Sequence, residues 1–335
     1  DYLGVNKETG GIKAKNEWVH STNWDLVIFD EYHFGAWKEN AKKLFEQEDE
    51  DSYDSEDMDK YDRGNAYDET FLPITTMYYL YLSGTPFRAL NSGEFIEDQI
   101  YNWTYSDEQR AKENWQGDGN PYAALPRMVM MTYRIPDSIR QIAMKGEFNE
   151  FDLNVFFSAK GTDARFVYEN EVQKWLDLIR GAYLETWVDD LKLGAKKPAM
   201  PYADVRLLNV LQHTLWFLPN VASCYAMKNL LMQKQNTFYH DYTINVCAGT
   251  SAGIGAAALE PVQKSMRDPL ESKTITLSCG KLTTGVTVKP WTGIFMLRNL
   301  SSPETYFQAA FRVQSPWEIT TDGGKKEIVK KECYV

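Results

Sequence analysis

Leu26-Val27-Ile28-Phe29-Asp30-Glu31-Tyr32-His33 decides how this chain is read. Its first four residues are apolar at every position, and the run is short. That pattern fits a strand buried on both faces of a parallel sheet, where no polar side is needed. Two acids follow at once. An acid at the carboxyl end of such a strand lies in the crevice where open α/β sheets bind ligands. The plain alternative is a strand end with solvated acids.

Outward from this stretch, the same grammar repeats. Residues 1–23 are polar and read as loop with one short element, and 34–47 can be a helix. Met77 to Leu82 is a second aromatic and aliphatic strand, closed by Ser83-Gly84-Thr85-Pro86. Residues 91–125 read as a polar insertion bearing Trp and Tyr, and Met128 to Tyr133 as a third strand. Residues 166–193 carry helical spacing through Val172, Trp175, Leu176, Ile179 and Tyr183. Gly194 to Pro201 reads as a linker. Strand and helix patterns then alternate: strand Thr214–Leu218, helix Val221–Met232, strand Thr243–Cys247, helix Ala256–Met266, strands Thr274–Leu277 and Gly293–Leu297, and a helix starting at Tyr306. Alternation of this kind predicts βαβ units and a helix-covered parallel sheet. The expected division is 1–140, a helical insertion or linker 141–205, and 206–335.

Four segments then carry chemistry in a fixed order. Asp30-Glu31-Tyr32-His33 resembles motif II, the DExH box, of superfamily 2 helicases. Ser83-Gly84-Thr85 resembles motif III, and Leu282-Thr283-Thr284-Gly285-Val286-Thr287 resembles motif V. Gln308-Ala309-Ala310-Phe311-Arg312-Val313-Gln314-Ser315 resembles motif VI, whose pattern is Gln-x-x-Gly-Arg-x-x-Arg. Gln308 and Arg312 match. Phe311 replaces the glycine and Ser315 the second arginine, with Arg298 a candidate to compensate. Trp216-Phe217-Leu218-Pro219-Asn220 resembles motif IV more weakly. The resemblance covers about residues 24–90 and 210–317. It implies an α/β fold of two RecA-like parallel-sheet domains, the first incomplete at its amino end.

The resemblance also implies roles. Asp30 would hold Mg²⁺ through water and Glu31 would orient the attacking water. His33 would relay the nucleotide state to Ser83, Gly84 and Thr85, which couple hydrolysis to domain movement. Thr284, Gly285 and Thr287 would meet a phosphate of nucleic acid or ATP, although many family members carry Asp where Thr287 stands. Gln308 would join Arg312, the finger that reaches the γ-phosphate. The phosphate loop Gly-x-x-x-x-Gly-Lys-Ser/Thr does not occur. Gly280-Lys281 is followed by Leu282, and the Gly249–Gly255 stretch has no lysine. In the family this loop precedes the DExH box, so it is expected upstream of Asp1. Both ends read as cuts, and the chain alone is expected to bind ATP poorly and hydrolyse none.

Composition bounds the partners. The net charge of −11 is concentrated: residues 46–62 hold ten acids and one base, and the rest of the chain sums to −2. That acidic insert reads as solvated, and a near-neutral body can still present a basic groove. Cys224, Cys247, Cys279 and Cys333 are scattered, which disfavours zinc and a disulfide framework and fits a reducing cytosol. No signal peptide and no long apolar run is visible. Ser-Gly-Thr-Pro-Phe together with Phe-Arg-Val-Gln-Ser-Pro resembles bacterial restriction and phage-defence ATPases, whose larger proteins carry nuclease or methyltransferase parts. The expected function is a nucleic-acid-dependent ATPase, DNA favoured over RNA, using ATP and Mg²⁺ in the cytoplasm. Rivals are an RNA-directed DExH helicase and a degenerate ATPase fold that only binds.

Overall fold

In the computed structural model, residues 14–30, 74–87, 90, 95–133, 152–160, 164–181, 200–249, 256–283, 285–321 and 323–335 are described. The chain divides into two compact units, Asp1–Asn102 and Trp103–Val335.

In the first unit, helix α1 (Glu17–Ser21) leads into β1 (Asn23–Phe29), which pairs in parallel with β2 (Thr75–Tyr81). The register runs from Asn23 opposite Thr75 to Phe29 opposite Tyr81. Leu82 N–H extends the ladder to the Phe29 carbonyl at 2.8 Å. Phe29, Tyr79 and Tyr81 stack at 5.4–6.0 Å. The expected burial of β1 on both faces is corrected: Leu26 is 47% and Ile28 53% exposed. Among the described residues β2 is the one strand that pairs with it. The expected helix 34–47 and the acidic insert 46–62 lie outside the described residues.

The second unit holds α2 (Tyr105–Asn114), β3 (Arg127–Val129), α3 (Leu153–Phe156), β4 (Ala159–Lys160), β5 (Arg165–Phe166), α4 (Glu169–Ile179) and α5 (Val205–Val210). There follow β6 (His213–Phe217), α6 (Val221–Leu231), β7 (Thr243–Cys247), α7 (Ala256–Ser265), β8 (Thr274–Ser278), β9 (Gly293–Met296), α8 (Pro303–Ala310), β10 (Glu318–Thr320), β11 (Lys326–Ile328) and β12 (Glu332–Tyr334). Side-chain caps start several helices: Thr104 and Asp107 form a capping box on α2, Asn220 accepts from Ser223 N–H on α6, and Ser302 accepts from Thr305 N–H on α8, ahead of Pro303.

Six strands form one sheet in the order β3-β12-β9-β6-β8-β7, and every neighbouring pair is parallel. β6 and β8 are buried at every residue, as central strands covered on both faces must be. Their side chains alternate. Trp216, Leu218, Ile275 and Leu277 meet α4 and α6 on one face. Leu215, Phe217 and Ile294 meet α7, α8 and the connection before β9 on the other. The route is consistent: β6 to β7 runs one way along the sheet through α6. The steps β7 to β8, β8 to β9 and β9 to β12 run back across the opposite face. A crossover of constant hand that reverses direction must change face.

The expected division of the chain differs from the one observed. β3 pairs with β12, so residues near 127 belong to the second unit and not to a first domain ending at 140. α4 buries Val172, Leu176, Leu178 and Ile179 in the same core as Trp216, so residues 152–181 are core and not linker. The cause is that both segments carry apolar faces which the sheet of the second unit can bury.

His213, at the start of β6, is buried between Thr274 Oγ1 (Nδ1, 2.9 Å) and the Pro269 carbonyl (Nε2, 2.8 Å). The carbonyl can only accept, so Nε2 donates and Nδ1 accepts from the threonine hydroxyl. Burial pulls the imidazole's pKa below 6.5. A lowered folded pKa gives stability that is complete above the unfolded pKa and lost as pH falls through the folded one. Denaturation midpoints should therefore drop from pH 7.5 to 5.5 in the natural chain and drop less in His213→Gln. Equal slopes in the two proteins would refute this role.

Candidate functional site

The first unit positions one cluster. Asp30 directly follows β1 and is exposed. Because β1 and β2 run parallel in the register above, Asp30 and Ser83 leave the same end of adjacent strands. Ser83 Oγ accepts from Thr85 N–H at 3.2 Å, and Thr85 is buried. Gly84 is exposed with open space around it. Glu31 and His33 lie outside the described residues.

The second unit positions another. β6 hands its chain to one face of the sheet while its neighbours β8 and β9 hand theirs to the other. Divergence of this kind opens a crevice beyond the carboxyl ends of the strands. Arg298, two residues past β9, lies across all three ends. Its Nη1 donates to the Cys279 carbonyl beyond β8 at 3.0 Å, and its guanidinium sits 5.2 Å from the Phe217 ring of β6. Its Nε is buried without a hydrogen-bond partner, and burial pulls its pKa below the ordinary arginine value. Lys281 also reaches over this edge, donating to the Gly249 carbonyl.

The connection from β8 to β9 is folded on itself. Ser278 Oγ donates to the Lys281 carbonyl, and Thr283 Oγ1 donates to the Gly280 carbonyl at 2.6 Å. Gly285 takes φ +65°, a left-handed conformation that a side chain would strain whatever the free space around it. Leu282 takes φ +67° and is buried, so its packing must offset strain of roughly 1–3 kcal/mol. Thr287 is exposed, and Thr284 lies outside the described residues.

Arg312 ties the sequence-predicted residues of this unit together. It stands in the single turn Phe311–Gln314 that continues α8. Its Nη1 donates to the Val286 carbonyl at 2.8 Å and its Nε to the Gln308 carbonyl at 3.0 Å. Gln308, Arg312 and the Gly285–Thr287 loop are therefore joined, and both long side chains are half-buried. In the sequence alone Arg298 stands out only as a substitute for the second arginine of motif VI. Its position across the crevice depends on strand order, which no local pattern encodes.

All four cysteines are free and buried. Among the described residues no helix is long and apolar enough to cross a membrane, and no three His, Cys, Asp or Glu side chains cluster as metal ligands.

No family model matches the chain. It is similar to a protein of Mycoplasma pneumoniae provisionally named as the C-terminus of a type II restriction enzyme and methyltransferase. Identity is 28% over 347 residues, covering 95% of this chain and 46% of the relative. The chain thus spans about half the length of the curated relative it matches.

Proposed function

We propose that this chain is the motor part of a restriction–modification protein: a DNA-dependent ATPase of the superfamily 2 helicase type, built on two RecA-like domains. The observation that carries the reading is the joining of Gln308, Arg312 and the Gly285–Thr287 loop on a unit whose large sheet is wholly parallel. Asp30 and Ser83 at one end of a parallel strand pair support it. The restriction–modification name of the relative favours DNA as the polymer.

In this reading Asp30 would hold a hydrated Mg²⁺. One carboxylate fits that ion, which keeps most of its waters and takes its other ligands from phosphates, so an all-protein cage is not required. Glu31 orients the attacking water, and ATP supplies the phosphoryl group to be cleaved. His33 passes the state of the site to Ser83, Gly84 and Thr85. Arg312 with Gln308 would serve the γ-phosphate, while Thr284, Gly285 and Thr287 would hold a phosphate of nucleic acid or ATP. Arg298 adds a second cation over the crevice. Binding to phosphates gives salt-sensitive, weakly sequence-specific affinity. Cytoplasmic location and partnership with nuclease or methyltransferase parts belong to the same proposal.

The test is ATP hydrolysis by the protein expressed from its native reading frame, alone and with double-stranded DNA, single-stranded DNA or RNA. DNA should stimulate the rate by at least about tenfold, and Glu31→Gln should abolish the stimulation. Stimulation by RNA alone would make it an RNA-directed helicase. No hydrolysis with any polymer would leave a binding module in place of a motor.

A further inference from the structure

Lys330 is an unusual lysine. It stands between β11 and β12, in Val329-Lys330-Lys331, yet it is only 2% exposed. Its Nζ lies 2.7 Å from the Lys289 carbonyl, 2.7 Å from the Trp291 carbonyl and 2.9 Å from the Val313 carbonyl. An ammonium has three hydrogens and no lone pair, so three carbonyl acceptors use its whole capacity. Burial pulls its pKa down to about 7, and three carbonyl dipoles are what a buried cation needs to stay charged.

The three carbonyls come from two segments. Lys289 and Trp291 end the connection that carries Gly285 and Thr287. Val313 is the residue after Arg312. Arg312 itself reaches the start of the same connection at the Val286 carbonyl. Two cations therefore fasten the Phe311–Gln314 turn to the 286–291 segment, Arg312 at one end and Lys330 at the other. The backbone of Lys330 is fixed in turn: Val329 N–H donates to the Trp317 carbonyl at 3.0 Å, and Cys333, three residues on, is buried in β12.

We propose that Lys330 is a positioning residue for Arg312: it clamps the turn bearing Arg312 to the 286–291 segment and so sets where the guanidinium points. This rests on the reading of Arg312 as a nucleotide-site residue. At 2% exposure, Lys330 is too buried to touch nucleotide or polymer itself. Removing its charge leaves three buried carbonyls without that donor, so the Arg312–Val286 bond and the packing of Val313 against Val288 and Trp291 are left to hold the two segments.

Two measurements on Lys330→Met decide it. In this chain, hydrogen exchange at 286–291 and 311–314 should rise by about tenfold or more, with the β6–β8 ladder unchanged, because local opening is read separately from global unfolding. In the protein from its native reading frame, kcat for ATP should fall by about tenfold with KM within about twofold. Adding Lys330→Met to Arg312→Ala should then cost little more, since residues acting as a unit are non-additive. Lys330→Arg, which keeps the charge, should recover part of both effects and serves if the Met variant does not fold. Unchanged exchange in both segments, a uniform rise across the unit, or effects that add to those of Arg312→Ala would overturn the proposal. If the natural protein hydrolyses no ATP, the motor reading fails on its own, and the exchange result still decides the clamp.

Discussion

On the proposed motor reading, Arg312→Ala is expected to lower DNA-stimulated ATP hydrolysis by roughly a thousandfold or more, the range over which arginine fingers act in phosphoryl transfer. The charge that develops on the γ-phosphate needs a donor that is planar, always protonated and able to make two bonds at once. What the structure gives Arg312 is a tie: its Nε and Nη1 donate to the Gln308 and Val286 carbonyls. Losing those bonds should cost about 1–3 kcal/mol of stability, which thermal melts of the variant will record separately from rate. Arg312→Lys keeps a charge and loses the fork, so it should recover stability better than rate. The decisive comparison is kcat against nucleotide affinity. A loss in kcat with affinity nearly kept marks an interaction made in the transition state. A drop of less than about tenfold would remove Arg312 from the site.

How much of this was legible in sequence depends on whether the signal was local. Thr243–Cys247 was read to the residue, and the ends of the strands around 213–218, 274–278 and 293–297 shifted by a single position. Continuous apolar runs between turn residues are a local property of strands buried on both faces. Pairing is not local. Arg127 and Glu332 form an ion pair across 205 residues of sequence. A pairing over that separation leaves no local pattern, so sequence spacing alone puts β3 with the first unit. The same holds for the candidate residues of each unit. Asp30, Ser83, Gln308 and Arg312 stand in short recognisable strings, whereas Arg298 gains meaning only once β9, β6 and β8 are known to be neighbours. Lys330 was invisible: a lysine beside a second lysine reads as a solvated face, and three converging carbonyls leave no trace in composition. Leu26 and Ile28 show the converse error, since an all-apolar run states what a strand can bury and not what is there to cover it.

Trp216→Ala is expected to cost roughly 3–5 kcal/mol, the range for truncating a large buried side chain. Against a typical domain stability of about 5–15 kcal/mol, that removes a large part of what holds the second unit folded. Trp216 stands at the middle of the face that joins α4 and α6 to the sheet, and it is fully buried. Its ring lies 5.7 Å from Trp175 and 5.1 Å from Phe295. Such pairs add about 0.5–1.5 kcal/mol each beyond burial. Its Nε1 donates to Thr214 Oγ1 at 3.1 Å, and the same hydroxyl lies 3.2 Å from Tyr202 OH. Truncation therefore leaves a void and also takes a donor from a buried polar pair. Trp216→Phe keeps most of the volume and loses only the donor and one ring, so its cost should be less than half as large. Urea unfolding followed by far-ultraviolet circular dichroism measures both. A cost below about 1.5 kcal/mol for Trp216→Ala, the usual ceiling for volume-conserving swaps, would mean that this face can collapse around the gap. α4 would then be an ornament on the sheet and not part of its core, and the assignment of residues 152–181 to the second unit would fall with it.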